Sequence, residues 1–583
     1  LSHMMMMMAE NLFRLLMRNR NGNLIEENEN GKTSINLPLY SMMPSKKQAM
    51  VFQPPPVGCR LCVIATNIAE TSLTLPNIRY VIDTGKVKNV VYDRMTSVST
   101  FVIEWTSKAS ADQRSGRAGR TSAGHCYRLY SSAVFNDQFK QYSEPEILQK
   151  PIDNLLLQMK AIGFENVINF PFPTKPNLEA LIVAEKLLNQ LDALETKTLT
   201  GKKNKQIERS KITWFGRLMS YFPVSPRYSR ILLLSTQANL VPLVVTLISL
   251  LTVQEFFPTD VSKAIKQRRE SWFFSHPFCQ ILGDLWTLLS AFGSAHYHGF
   301  SEKFCVSHGL RYNAIREAEK LRLQLLNQLR SIMKNQTLSS ELSVPNEIQV
   351  KMLSKLFLSG FSDHIARRIP FTMVTVQDEH GDVRKVQKSI RNCYQSIEVE
   401  HNVFISPHSV MFNQTYDYVV YQEIFESSDA GKMYMRNIVP IQMEWLAIYG
   451  AKHCTFSNPL EDPPPRYDPD DDCIKCHRKS TFGPHSWELP AIEVDYPDGL
   501  DKYCHFAYFL FNGLVIPSLK ENLPYLSSPA ILFIKSWAMV QPKVDNVIKC
   551  LINNQIDCKR VLIAKWTANS KCKFRKPPLP YLN

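Results

Sequence analysis

The chain has 583 residues, 44 % of them hydrophobic, and its 68 Lys and Arg against 53 Asp and Glu give a formal net charge of +15. That much apolar sequence can bury several cores, which excludes a single small domain, and the basic balance favours an anionic partner, nucleic acid first. A ribosome-bound or membrane-surface protein would share that balance.

Leu1-Ser2-His3 and the run Met4 to Met8 read as a remnant outside the fold, and the Asn- and Glu-rich stretch Asn19 to Thr33 predicts disorder. From Leu37 to Tyr130, short β-rich runs alternate with helical ones, the pattern of a parallel α/β sheet. Leu61–Ala65 and Tyr80–Asp83 read as strands, Lys86–Trp105 as a long hairpin, and His125–Tyr130 as a later strand. A helix is expected from Glu144 to Lys160, a mostly apolar one from Leu178 to Leu194, and a basic loop from Lys202 to Lys211. The longest apolar run, Leu240 to Val253, holds Pro242, Thr246 and Ser249 and is too short to span a bilayer, so it reads as a core helix. Helical periodicity continues to Ala314–Arg330, and β-rich segments follow from about Val350, among them Val403–Phe412 and Tyr418–Glu423. Pro463-Pro464-Pro465 and the acidic Asp468 to Asp472 mark a loop, beyond which Trp487 to Trp566 carries enough apolar residues for a further unit. The 13 cysteines are scattered and odd in number, which fits reduced thiols in a cytosolic or nuclear protein.

Two segments carry chemistry. Gln113-Arg114-Ser115-Gly116-Arg117-Ala118-Gly119-Arg120 sets Arg117 and Arg120 three residues apart, so on a helix both guanidinium forks would share one face. Paired forks suit a triphosphate, and the glycines allow close backbone approach. Upstream lies Thr66-Asn67-Ile68-Ala69-Glu70-Thr71-Ser72-Leu73-Thr74, directly after a predicted strand.

Together these segments resemble motifs V and VI of superfamily 2 helicases, in the form used by the DEAH/RHA family of RNA helicases. Ser115 stands where that family usually has Ala, one small residue for another. The resemblance implies an α/β plus α+β multidomain protein. Its expected parts are an incomplete second RecA-like domain (37–145) after a disordered or artefactual N-terminus (1–36), a winged helix (146–222), a helical ratchet domain (223–345), an OB-like β-barrel (346–455) and a C-terminal extension (456–583). It implies ATP with Mg2+, the Mg2+ ligands lying on a phosphate-loop lobe that this sequence does not contain. It casts Arg117 and Arg120 as arginine fingers on the γ-phosphate, Gln113 as placing the attacking water, and Gly116 as admitting the nucleotide. Phe52 would stack on the base, Ser72 would sense nucleotide state, and Thr66 and Asn67 would meet RNA phosphates.

Gln53-Pro54-Pro55-Pro56, the run Cys126 to Phe135, Thr455–Leu460 and Leu489–Asp495 are similar to the nucleolar branch of the family that serves small-subunit ribosome assembly. That resemblance implies pre-rRNA, a small nucleolar RNA, a pre-ribosomal particle and a protein activator as partners, no membrane, and a place in the nucleus and nucleolus. An ATPase-inactive RNA-binding scaffold and a spliceosomal DEAH helicase are the competing readings.

Three motifs are set aside. Gly31-Lys32-Thr33 lacks the Gly that a phosphate loop needs five positions before Gly31, where Glu26 stands, and no strand is expected ahead of it. Asp378-Glu379-His380 lies downstream of the arginine motif, on the wrong side for a Mg2+ box, and Gly381-Asp382 reads as a hairpin turn. Cys473 and Cys476 with His477, His485 and Cys454 make no complete zinc set, so no metal is assigned.

Overall fold

The computed structural model describes residues 24–27, 33–39, 48–71, 74–93, 98–200, 206–253, 256–257, 264–265, 267, 277–333, 339–377, 383–389, 391–412, 414–426, 432–525 and 529–571. The chain divides into two compact units: residues 1–156, 166–185 and 425–432 form one, and 157–165, 186–424 and 433–583 the other.

In the first unit, β1 (Leu24–Glu27) pairs antiparallel with β2 (Thr33–Leu39), which runs parallel to β3 (Arg60–Ala65). Part of the stretch expected to be disordered therefore forms strand, because β2, paired on its other side with β3, offers Leu24–Glu27 a free edge. Leu37, Leu39 and Val51 are buried, with Ile35, Leu61, Val63 and Leu75 packed against them. Thr33 opens β2, a strand, whereas the Lys-Thr of a phosphate loop opens a helix, so the rejection of Gly31-Lys32-Thr33 stands on new grounds: a strand does precede it. Further along, β4 (Tyr80–Asp83) is followed by the hairpin of β5 (Lys86–Asp93) and β6 (Val98–Trp105), paired from Lys86↔Trp105 to Asp93↔Val98. β7 (His125–Arg128) runs parallel to β4. The helix expected over Glu144–Lys160 is two pieces, Glu146–Gln149 and Asp153–Ile162, because Pro151 drives Lys150 into extended backbone.

In the second unit, the apolar helix ends at Gln190, and Leu194 already begins β8 (Leu194–Thr200). The expected basic loop is largely strand β9 (Gln206–Ile212), which pairs with β8 over its whole length; residues 201–205 lie outside the described residues. The helical part includes Pro226–Gln237, Val241–Thr252, Asp284–Tyr297, Tyr312–Ile332 and Glu347–Gly360. Val241–Thr252 buries ten residues, as its apolar sequence requires.

The strands that follow are β10 (Ile365–Arg368), β11 (Phe371–Gln377), β12 (Val383–Ser389), β13 (Cys393–Ser396), β14 (Val403–Ile405), β15 (Tyr418–Val420), β16 (Glu423–Glu426), β17 (Met433–Arg436) and β18 (Val439–Pro440). Within this unit they run β18-β15-β10-β13-β14-β17, and among the described residues that path stays open rather than closing into the anticipated barrel. β11 and β12 form a separate antiparallel ladder that flanks Asp378-Glu379-His380, which lie outside the described residues. The C-terminal part builds β19 (Cys454–Phe456), β20 (Arg466–Asp468), β21 (Cys473–Phe482) and β22 (Trp487–Asp495) into one sheet, followed by helices over a core that includes Phe506, Phe509, Leu510, Val547 and Leu551.

Candidate nucleotide and RNA site

The candidate site forms at the carboxyl ends of parallel strands, where ligands bind in open α/β sheets. Beyond β3, the Thr66 N–H donates to the Leu39 carbonyl at 3.1 Å, which carries the ladder one residue past the strand. Thr66 and Asn67 then stand exposed ahead of a short helix, α1 (Ile68–Thr71). Ser72 lies outside the described residues.

The arginine motif enters on α2 (Lys108–Ser115), capped by the Ser107 hydroxyl, which accepts from the Ser110 N–H at 3.1 Å. Gln113 is exposed on this helix. The helix stops at Ser115, so Arg117 and Arg120 do not share a helical face; they sit in the turn that follows, where Gly116 and Gly119 disfavour continuation. They nonetheless converge on the ends of one short segment, Glu70 and Thr74. Arg117 Nη2 donates to the Glu70 carbonyl, and Arg120 Nη1 donates to Thr74 Oγ1 at 2.6 Å. The turn is held from below at Gly124, where a Cβ would lie 2.2 Å from the Ala118 carbonyl oxygen. Gly119 is different: a Cβ there would meet nothing within 4 Å, so internal packing does not require that glycine.

The sequence reading missed the residue that organises this site. Arg114, three before Arg117, points inward. Its Nε donates to Glu70 Oε2 and its Nη1 to Asp83 Oδ1, both at 2.9 Å, and it also reaches the Lys86 carbonyl at 3.3 Å and Thr106 Oγ1 at 3.3 Å. Asp83 is the buried anion of the set, its side chain 1 % exposed, and it also accepts from Tyr130 Oη at 2.8 Å and the Gly85 N–H at 2.9 Å. Gly85 has φ +70° and sits so close to the Tyr130 ring that a Cβ would lie 2.6 Å from it. Burial opposes the Arg114 charge, but its bonds to Glu70 and Asp83 overcome this and raise its pKa. Burial and the bond to Asp83 push the Tyr130 hydroxyl well up, so it stays a donor. A signal for Asp83 was present in the sequence: a carboxylate ending an otherwise apolar strand needs a buried partner.

Phe52 ends a short 3-10 helix, Met50–Phe52, whose buried residue is Val51; the Phe52 ring is 38 % exposed, so the neighbouring Val supplies the core contact. Among the described residues no group of three or more His, Cys, Asp and Glu side chains gathers to hold a metal. Cys473 and Cys476 lie three apart on β21, whose alternation turns them to opposite faces.

A strand-borne segment latched by arginines from the turn after helix α2, followed by winged-helix, helical and OB-type parts, defines a helicase motor lobe with its accessory domains. Family profiles agree: the helicase conserved C-terminal domain matches residues 18–122, the winged-helix and ratchet-like parts of the helicase-associated domain match 184–224 and 225–288, and the oligonucleotide/oligosaccharide-binding fold matches 353–452. A profile for the C-terminal domain of the DEAH helicase DHX37 matches 518–574. The chain is 42 % identical over 556 residues to the human probable ATP-dependent RNA helicase DHX37, covering 92 % of this chain and 47 % of the human protein. It is 40 % identical over 550 residues to the Drosophila melanogaster probable ATP-dependent RNA helicase kurz, covering 91 % of this chain and 45 % of the fly protein. The Saccharomyces cerevisiae probable ATP-dependent RNA helicase DHR1 is 39 % identical over 378 residues, covering 57 % of this chain and 29 % of the yeast protein. The chain thus spans about half the length of the first two relatives. It belongs to the DEAH family of RNA helicases, of the DHX37 and kurz type.

Proposed function

We propose that this chain is the arginine-bearing half of an ATP-dependent RNA helicase that remodels RNA in small-subunit ribosome assembly, acting in the nucleolus with pre-rRNA and a small nucleolar RNA. The single observation that carries the motor reading is the latch of Arg117 and Arg120 on the Glu70–Thr74 loop.

A partner lobe supplies the phosphate loop and the Mg2+ ligands, and this lobe brings cations to the γ-phosphate. Arg117 exchanges the Glu70 carbonyl for a phosphate oxygen, and Arg120 exchanges the Thr74 hydroxyl for another. A guanidinium bond to an ionised phosphate oxygen is stronger than one to a neutral carbonyl or hydroxyl, so nucleotide binding releases the segment. Thr66 and Asn67 stand exposed at the other end of that loop, where a hydroxyl and an amide can meet RNA phosphates. Loop movement thereby couples hydrolysis to RNA stepping. Gln113 orients the attacking water, the glycines at 116 and 119 admit the triphosphate, Phe52 stacks on the base, and Ser72 reads nucleotide state.

The test uses the full-length protein. Arg117→Ala and Arg120→Ala are each expected to lower RNA-stimulated ATP turnover by at least ~10²-fold with RNA affinity retained. Turnover near the parental rate in either variant would remove the finger assignment.

A further inference from the structure

The last helix, α3 (Lys559–Lys571), leaves the body of the protein. Its first turn is rooted. The N–H groups of Lys559 and Arg560 donate to the two carboxylate oxygens of Asp472 at 2.7 and 2.8 Å, Leu562 is buried in the C-terminal core, and Val561 packs against that core. From Ile563 to Thr567, five consecutive residues are exposed. At 3.6 residues per turn, five positions go fully around a helix, so every side of this stretch is partly open to solvent. Ile563 and Trp566 are thereby 46 % and 37 % exposed.

Charge and spacing indicate what covers it. Lys559, Arg560, Lys565, Lys571, Lys573, Arg575 and Lys576 make seven basic residues between 559 and 576, with no acidic residue among them. A helix that docks in a protein groove needs apolar anchors at i, i+3, i+4 and i+7. Counted from Ile563 these are Trp566, Thr567 and Ser570, so the stripe ends after two residues. A basic helix carrying one exposed indole matches RNA instead: its cations displace counterions from phosphates and the ring stacks on a base. Arg560 lies 3.6 Å from Asp472, yet its side chain is 85 % exposed, and such surface pairs exchange readily.

We propose that α3 is a second RNA-binding element, outside the motor lobe, in which Arg560 and Lys565 hold an RNA phosphate backbone and Trp566 stacks on an adjacent base. Choosing RNA over other polyanions rests on the helicase reading above. The test measures binding of the 583-residue chain to a fluorescent RNA stem-loop with a single-stranded flank, across a salt series and without nucleotide. Replacing two phosphate contacts, Arg560→Gln with Lys565→Gln, is expected to make the log–log salt slope shallower by about 1.5 and to weaken binding at low salt about tenfold. Trp566→Ala is expected to weaken binding several-fold to about a hundredfold with the slope unchanged, as a lost stacking contact would. Arg560→Lys with Lys565→Arg, which keeps both charges, should retain the parental slope. All of these side chains are exposed, so unchanged far-UV circular dichroism is expected in every variant. Parental affinity and slope in the Gln variant would overturn the proposal, as would a loss of slope in the charge-preserving variant. Because no ATP is present, this result is independent of the turnover test on Arg117 and Arg120.

Discussion

Three arginines in one motif divide by their partners. Arg114 is 15 % exposed and bridges Glu70 and Asp83, whereas Arg117 and Arg120 lie in the turn beyond and bond to a neutral carbonyl and a neutral hydroxyl. Their substitution should therefore separate stability from catalysis. Arg114→Ala leaves the Asp83 carboxylate with only the Tyr130 hydroxyl and the Gly85 N–H, and breaking a buried pair in this way costs about 3–5 kcal/mol. Hydrogen exchange is the appropriate measurement, since a multidomain chain need not unfold in one step. Faster exchange is expected at β4 in Arg114→Ala, and parental exchange there in Arg117→Ala. Arg114→Lys should resemble Arg114→Ala, because a point ammonium cannot reach four acceptors spread around a planar fork.

Between elements, the ratchet and OB parts are joined by a bidentate pair. Both terminal nitrogens of Arg227, on helix Pro226–Gln237, donate to Asp363, the second at 2.6 Å, and Nη1 also reaches the Gly360 carbonyl at 3.1 Å. Burial by itself would raise the Asp363 pKa, but the Arg227 guanidinium, with His364 adding to it, holds the carboxyl well below its usual range. A carboxyl depressed in the folded state contributes stability above its unfolded pKa of about 4, and that stability is lost as pH falls toward the folded value. Opening free energies from hydrogen exchange at helix Pro226–Gln237 and β10, in the parental chain and Asp363→Asn, are thus expected to differ most near neutral pH, by about 3 kcal/mol, and to converge as pH falls below about 4. A constant difference down to pH 2 would remove the ion pair as its source. A second joint is steric and anionic. Asp284 accepts from the Ser409 hydroxyl and the Val410 and Ile438 N–H groups, while a Cβ at Gly283 would lie 2.2 Å from the Ile438 carbonyl oxygen. Three donors satisfy this carboxylate although burial raises its pKa, so here hydrogen bonding rather than a counter-charge fastens one part to the next.

For the whole molecule, the proposed motor is a composite. No segment of the sequence reads GxxxxGK[ST], so the 583-residue chain by itself is expected to hydrolyse no ATP above a heat-inactivated control, with or without RNA. A motor that grips phosphates carries no sequence information in its grip, so its target must be chosen by delivery. The C-terminal sheet and helices beyond Thr455 are the proposed delivery surface. Deleting Thr455 to Asn583 from the full-length enzyme is expected to spare RNA-stimulated ATPase far more than co-sedimentation with small-subunit pre-ribosomes. Parental co-sedimentation of an active truncated enzyme would count against that role.

Local chemistry was legible in the sequence wherever function needs particular residue types at short range. Thr66–Thr74 and Gln113–Arg120 were each legible as motifs, although the shared helical face expected for Arg117 and Arg120 is absent because the helix stops at Ser115. The parallel strands followed from short apolar runs alternating with helical segments. So did the hairpin Lys86–Trp105, whose register depends on neighbours in sequence. What the sequence could not decide were outcomes set by partners distant along the chain. Leu24–Glu27 is strand because Asn36 to Thr33 pairs with it, and Gln206–Ile212 is strand because Leu194–Thr200 does, whatever their polar composition suggests. Arg114 looks like one more motif arginine until Glu70 and Asp83, 44 and 31 residues away, enclose it. Burial turns a charge that solvent would screen into one that must be paired, and burial is decided only when the strands assemble.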